Sequence, residues 1–539
     1  MNDPRHSTVQ ATRRALSRPY SWHRKTAVAG RCAAILITLL AVQSSADAQF
    51  PFRQPENFRQ PQSPYEPLRQ RGFAHYEKGE YQQAVNVATQ ILNFEPRDPV
   101  AFYLRASAKI ELGRQAGDRK TIRSGIQDAR QALAIRGADE EFTNLYIPYL
   151  YGMSWLAVVE RNVSHADTAV KTAGSIIDKP GVADADKSSL LYQRAFARQQ
   201  AAVAEAAQFD RAAATPEEFQ KFQAAQTERQ QAAIADYAKA IQLNPKQMGA
   251  HINMAKALAA VGESDRSLSA FDAAIQEFPR NATIYNERGV YHRQLGQLDE
   301  AIADFTQAID IQRNFAMGYI NRGFCLTDKG EDEAAEADFN TAISLDPRMS
   351  LAYSLRGTAR MSLGKVQPAI ADFSKQLELN PRDATAYANR GFARFFAKQF
   401  GEAAQDFRQA LELQPTAYHL AVWRALSLVR AGQADAAKSE LEALLASQNG
   451  PQGWVADLCK YLLGQTTGEE LIAAAKEVED QQVSLARVCE AQFFIGQHDV
   501  IDGNPDAANT HFTAAVDTGV RYLSAYRGSK YELGEFSAQ

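Results

Sequence analysis

The chain has 539 residues, with 59 Lys and Arg against 63 Asp and Glu and a net charge of −4. Removing residues 1–48 would take seven basic and two acidic residues and leave 52 basic against 61 acidic, a net charge of −9. Such a balance argues against nucleic acid, which calls for a basic patch or stripe. Beyond residue 48 the cysteines are Cys325, Cys459 and Cys489, and their spacing matches no compact metal motif.

The N-terminus reads as an export signal. Arg13, Arg14, Arg18, Arg24, Lys25 and Arg31 precede an apolar run at 33–42, and Ala46-Asp47-Ala48 is a cleavage site of the small-x-small kind. Cleavage after Ala48 is expected, which places the mature protein in the periplasm. The apolar run is far shorter than the roughly twenty residues that span a bilayer, and no other segment approaches that length, so no transmembrane segment is expected. Cys32 lies before the run with no lipobox at the cleavage site, so no lipid anchor is expected. Residues 49–64 are rich in Gln, Pro, Phe and Arg and predict an extended linker.

From residue 65 onward one spacing governs the chain. It is clearest from 282, where four blocks of 34 residues follow without a slip. Tyr285, Tyr319, Tyr353 and Tyr387 recur with Gly289, Gly323, Gly357 and Gly391, with Ala301, Ala335, Ala369 and Ala403, and with Phe305, Phe339, Phe373 and Phe407. These are positions 4, 8, 20 and 24 of each block. Two antiparallel helices approach closely only where side chains are small, which explains the Gly and the Ala, and the aromatics fill the remaining space. Gly296, Gly330 and Gly364 end first helices, and Pro347, Pro381 and Pro415 end second ones. This pattern resembles the tetratricopeptide repeat. The resemblance implies an all-α fold, a right-handed superhelix (α-solenoid) of about ten or eleven helical hairpins.

Worn copies flank the regular ones. Residues 65–98 fit, with Gly72, Gly79, Ala84 and Pro96; a further copy starts near 99; and 141–180 is the weakest, with Trp155, Ala166 and Ala173. Residues 248–281 fit through Ala255, Gly262, Phe271, Ala274 and Pro279, and later copies start near 418 and 489. The expected divisions are therefore divergent repeats over 65–245, a regular array over 248–449, and a C-terminal section over 450–535 ending in a capping helix.

A second period pairs a base at position 7 with an acid at position 23: Arg288 with Asp304, Arg322 with Asp338, Arg356 with Asp372, Arg390 with Asp406, and Arg424 with Glu440. The exception is Arg71, whose partner position holds Val87. An ion pair joining the two helices of a hairpin is predicted, because a partly buried charge needs a partner and Arg offers a carboxylate a fork. The same pairs measure insertions. Arg105 and Asp128 stand 23 apart instead of 16, and Arg194 and Asp236 stand 42 apart, so both repeats lengthen at the hairpin tip. Within the longer one Thr215-Pro216-Glu217-Glu218 predicts an N-cap, a proline at the first helical position and a capping box. A helical spur is predicted near 197–230.

The C-terminal section carries a narrower resemblance. Trp454, Tyr461-Leu462-Leu463-Gly464, Glu470-Leu471, Cys489-Glu490-Ala491, Phe493, Gly496, Ala514-Ala515-Val516 and Gly519 follow one another as in NlpI-type periplasmic TPR lipoproteins. That family's members hold a protease and cell-wall hydrolases together, and the resemblance implies such partners here. The chain departs from the family in lacking a lipidated cysteine and in having many more repeats. Between Cys459 and Cys489 a disulfide stays open as one reading, two small buried thiols as the other.

Catalytic signatures are missing: no phosphate-cradling Gly-rich loop, no Gly-x-Ser-x-Gly, no His-Glu-x-x-His. No catalytic residue, cofactor or metal is expected, and the chain reads as a non-enzyme. His498, Asp499 and Asp502 read as a helix end. Function then lies on the concave surface that stacked hairpins create, lined in TPR proteins mainly by positions 2, 5, 9, 12 and 13. There the chain offers Phe324, Phe392, Phe395 and Phe396, with Asn321 and Asn389 at position 6. Two readings stay open: a groove for a protein or peptide partner held by apolar anchors, or aromatics that pack against the next repeat. The expected function is a periplasmic scaffold for protein–protein interaction, with envelope proteases or cell-wall enzymes as partners. A permanent structural part of an envelope or secretion assembly is the alternative, and an enzyme built on a TPR body ranks behind both.

Overall fold

Segments of good helix formers separated by turn glycines and prolines leave little room for strands, and the described residues hold α-helices, one 3-10 helix and no strand. The computed structural model describes residues 64–136, 140–211, 213–448 and 450–534. The expected signal, its cleavage site and nearly all of the linker lie outside the described residues. The chain divides into two compact units, one ending at Leu295 and the other starting at Gly296.

In the first unit α1 (Glu66–Glu77) pairs with α2 (Tyr81–Phe94), and α3 (Pro99–Ala116) with α4 (Arg119–Arg136). A 3-10 turn at Glu140–Leu145 leads to α5 (Tyr146–Glu160) and α6 (Val163–Ile177), so the weakest copy is a helix pair as expected. Then come α7 (Asp184–Ala206) with α8 (Pro216–Leu243), α9 (Met248–Ala260) with α10 (Ser264–Glu277), and α11 (Ala282–Gln294). The second unit opens with α12 (Leu298–Ile311). It continues as α13 (Ala316–Lys329) with α14 (Asp332–Leu345), α15 (Ser350–Ser362) with α16 (Val366–Leu379), α17 (Ala384–Phe396) with α18 (Phe400–Leu413), and α19 (His419–Arg430) with α20 (Ala434–Ala446). Two nine-residue helices follow, α21 (Trp454–Leu462) and α22 (Gly468–Lys476), then the hairpin α23 (Gln481–Ile501) and α24 (Pro505–Asp517), and last α25 (Ser524–Glu532).

The small residues do what their spacing predicts. A Cβ at Gly323, Gly357 or Gly391 would come within 2.7–2.8 Å of the ring of Phe339, Phe373 or Phe407 in the facing helix, and one at Gly496 would meet Phe512 the same way. The glycine at position 8 and the aromatic at position 24 are therefore one interlocked contact, and those four rings are fully buried.

Both insertions lie where the arginine–carboxylate spacing puts them. Helices α3 and α4 run to 18 residues each, and α7 and α8 to 23 and 28, against 13 or 14 in the regular array. Thr215 caps α8 as predicted: the Glu218 amide donates to its hydroxyl, and its own amide donates to the Glu218 carboxylate at 2.8 Å. At the tip Phe209 stacks on Phe222 at 4.2 Å and lies beside Phe219. The extension does not stand alone, since Ala201 and Ala204 pack with Ala157 and Ala166, and Arg229 reaches Asp167 of α6 at 2.9 Å.

Candidate functional site

In the second unit the ion pairs predicted for Arg322, Arg356, Arg390 and Arg424 form, and each is a two-pronged fork. Arg322 grips Asp338 through Nε and Nη2 at 2.8 and 2.7 Å, Arg356 grips Asp372 at 3.1 and 2.5 Å, and Arg390 grips Asp406 at 2.9 and 2.7 Å. Arg424 with Glu440, and across the insertions Arg105 with Asp128 and Arg194 with Asp236, repeat the geometry. Bonding to Asp338 holds the Arg322 guanidinium above its ordinary value, against the opposing effect of burial. Position-4 tyrosines lie under these arginines, with Arg322, Arg356 and Arg390 at 5.5–5.7 Å from the ring centres of Tyr319, Tyr353 and Tyr387.

Two further partners escaped sequence reasoning. The third guanidinium nitrogen reaches back one repeat, from Arg322 to the Thr306 hydroxyl, from Arg356 to the Asn340 side-chain carbonyl at 2.7 Å, and from Arg390 to the Ser374 hydroxyl. Arg288 does the same within the first unit, donating to Asp272 at 2.5 Å; Asp304, the mate expected for it, belongs to the second unit. A second base one turn on, at position 11, also binds the carboxylate: Arg360 on Asp372 at 2.8 Å and Arg394 on Asp406 at 2.7 Å. The signal was present as a polar residue at every position 25 from 272 to 374 and as an i, i+4 basic pair. These charges pair with one another within a hairpin and reach back to the preceding one, so the ladder couples repeats.

The residues expected on the binding face separate into two groups. Asn321 and Phe324 on α13, and Asn389, Phe392 and Phe396 on α17, are half-buried, whereas Phe395 is 1% exposed. Phe395 lies inside a cluster with Trp423 of α19 at 5.4 Å, Phe400 at 5.2 Å and Phe493 of α23 at 6.4 Å. Phe392 meets Phe407 and Trp423 edge-on at 5.1 and 5.0 Å. Packing against the next repeat thus accounts for Phe395 and for much of Phe392, because Trp423 in the following repeat needs an apolar bed.

The α15 and α17 part of that face carries α25, the last described helix. The Tyr531 ring stacks on Phe396 at 5.2 Å with 16° between planes, and its hydroxyl donates to the Met361 carbonyl at 3.2 Å. Ser524 and Arg527 close one side of a small cleft whose other walls are Thr358, Met361, Phe373, Asn389, Phe392 and Phe396. At the helix end Glu532 accepts from Gln497 Nε2 at 2.8 Å and lies 3.9 Å from Arg430. Beside the seat, burial pushes the Asp332 carboxyl up to about 6, with Glu333 adding and Arg527 and Arg521 opposing. Its Oδ1 is buried without a hydrogen-bond partner.

Cys325, Cys459 and Cys489 are buried thiols outside any disulfide. Burial pushes the Cys459 thiol up to about 11 and the Cys489 thiol to about 12, so both stay protonated and inert at neutral pH. Among the described residues no group of three or more His, Cys, Asp or Glu is placed to hold a metal ion, and no helix is long and apolar enough to cross a membrane. His498 and Asp502 lie 3.8 Å apart at the end of α23.

One tetratricopeptide repeat model matches residues 252–316 and 354–418, and a second matches 318–349. No curated protein matches the chain. Among solved structures, a tetratricopeptide repeat protein from Parabacteroides merdae is 18% identical over 53% of this chain and 98% of its own, with a TM-score of 0.36. YrrB, described as a TPR protein with an unusual peptide-binding site, is 23% identical over 34% and 95%, with a TM-score of 0.31. The type IV pilus biogenesis factor PilW is 19% identical over 38% and 94%, with a TM-score of 0.33. The family matches end at residue 418, so the NlpI-type likeness of 450–535 stands on its motif alone. The interlocked Gly and Phe, the turn glycines and the family matches together identify the repeats between 252 and 418 as tetratricopeptide repeats.

Proposed function

We propose that this chain is a periplasmic scaffold that holds other proteins on the face formed by α13, α15 and α17, and that it carries out no reaction itself. Envelope proteases and cell-wall enzymes are the partner class, as the C-terminal resemblance implies. One observation carries the reading: α15 and α17 hold a helix through the Phe396 ring and the Met361 carbonyl, in the manner of helix-in-groove recognition, and the helix they hold is part of the same chain. The face offers apolar anchors with nearby amides and no reactive constellation, which suits recognition and not turnover.

The test is proximity labelling from the chain itself, with labelled proteins separated into periplasmic and cytoplasmic fractions, comparing wild type with Phe324→Ala. Loss of a half-buried anchor is expected to reduce labelling of a defined envelope protein by about tenfold, the effect of about 1.4 kcal/mol of binding energy, with thermal unfolding little changed. Labelling that is equal in both, or that occurs only in the cytoplasm, would sink the proposal.

A further inference from the structure

We propose that α25 is an internal occupant of the binding face, and that the partner is a short helix of another protein presenting the same contacts: a small residue, an aromatic three positions later and an acid directly after it. The inference rests on the reading of α13, α15 and α17 as a protein-binding face and adds what that face selects and what must leave before it can bind.

The seat is specific for a small residue. A Cβ on Gly528 would come within 2.6 Å of Phe493 and 2.8 Å of Phe396, so the occupant's backbone must approach both rings without a side chain. One turn further on, Tyr531 takes the flat side of Phe396 and bonds the Met361 carbonyl, and Glu532 then meets Gln497 and Arg430. Gln497 is fully buried, so its amide needs an acceptor at this place, and the Arg430 guanidinium 3.9 Å away favours an acid there. Small, aromatic and acidic at 528, 531 and 532 are thus three requirements imposed by the face.

The internal occupant meets them imperfectly. The Arg527 side chain of α25 lines the cleft with no hydrogen bond of its own among the described residues, and burial pushes its guanidinium down. Asp332 nearby holds an oxygen that nothing bonds. A buried polar group left unpaired costs roughly 1–3 kcal/mol, so an incoming helix whose side chain pairs Asp332 gains over α25. Release is also local. Helix α25 has nine residues, below the roughly 12–15 that hold a helix in water on their own, and a turn at 518–523 containing Gly519 at φ 68° separates it from α24. It can leave and unwind while α23 and α24 stay paired.

The experiment uses the full chain and a fluorescein-labelled synthetic peptide of residues 521–534, read by anisotropy. The peptide is expected to bind a Tyr531→Ala/Glu532→Ala chain at least tenfold more tightly than wild type, while a peptide carrying Tyr531→Ala binds neither. A milder variant, Tyr531→Phe, keeps the ring and is expected to bind the peptide about threefold more tightly than wild type. Equal affinity of the peptide for wild type, Tyr531→Phe and the double variant, in chains with matching circular dichroism, overturns the inference. Capture of a partner that depends on Phe324 together with such equal affinities would keep the proposed function and remove only this device. Loss of Phe324 dependence removes the underlying reading instead.

Discussion

Asp372 shows how much one carboxylate does in this array. It is 2% exposed, it accepts two bonds from Arg356 and one from Arg360, and Arg356 continues to Asn340 in the preceding repeat. Replacing it leaves two guanidinium groups half-buried against each other, which costs about 3–5 kcal/mol when one partner of a buried pair is removed. Asp372→Ala should therefore lower the urea midpoint of the second unit strongly while the folded fraction keeps its partner binding. A variant with unchanged unfolding and lost binding would assign the ladder to recognition. Positions 7 and 23 were legible in the sequence because the two residues vary together at a fixed spacing. Positions 11 and 25 were harder to see, since Arg360 and Asn340 enter through contacts among three helices that no pairwise spacing displays.

At the scale of elements, helix limits followed closely from turn glycines, prolines and caps. The capping box at Thr215 set the start of α8 and the Arg194–Asp236 interval set its length. The pair α21 and α22 and the seat of α25 were not legible. Tyr531 and Met361 stand 170 residues apart, and a contact between distant, non-equivalent segments leaves no periodic trace. The aromatic row that suggested a groove was real as a row, but one member, Phe395, was already committed to Trp423 and Phe493.

Asp332, at the start of α14, adds a pH dependence to this region. Its carboxyl titrates near 6 in the folded chain against an ordinary value of 3.8. A raised carboxyl favours the protonated fold, so its contribution is most favourable below about pH 3.8 and is lost as pH rises through 6. Asp332→Asn should raise the melting temperature at pH 7.5 and leave it nearly unchanged at pH 4. An equal gain at both pH values would show that burial of the charge is not the cause.

For the whole molecule, periodic small and aromatic residues produce interlocked hairpins, Arg322, Arg356 and Arg390 each reach back to the preceding repeat in the second unit, and the face this leaves there takes a helix. The period was clearest over 282–417 because those hairpins solve the same packing problem in the same way. The occupant of the face was not readable, because one short helix solves a different problem once. The most direct measurement is hydrogen exchange of the intact chain with and without excess 521–534 peptide. Amides of α25 should exchange at least tenfold faster when the peptide is bound, while α15 and α17 keep or gain protection. Bound peptide with α25 protection unchanged would contradict the account.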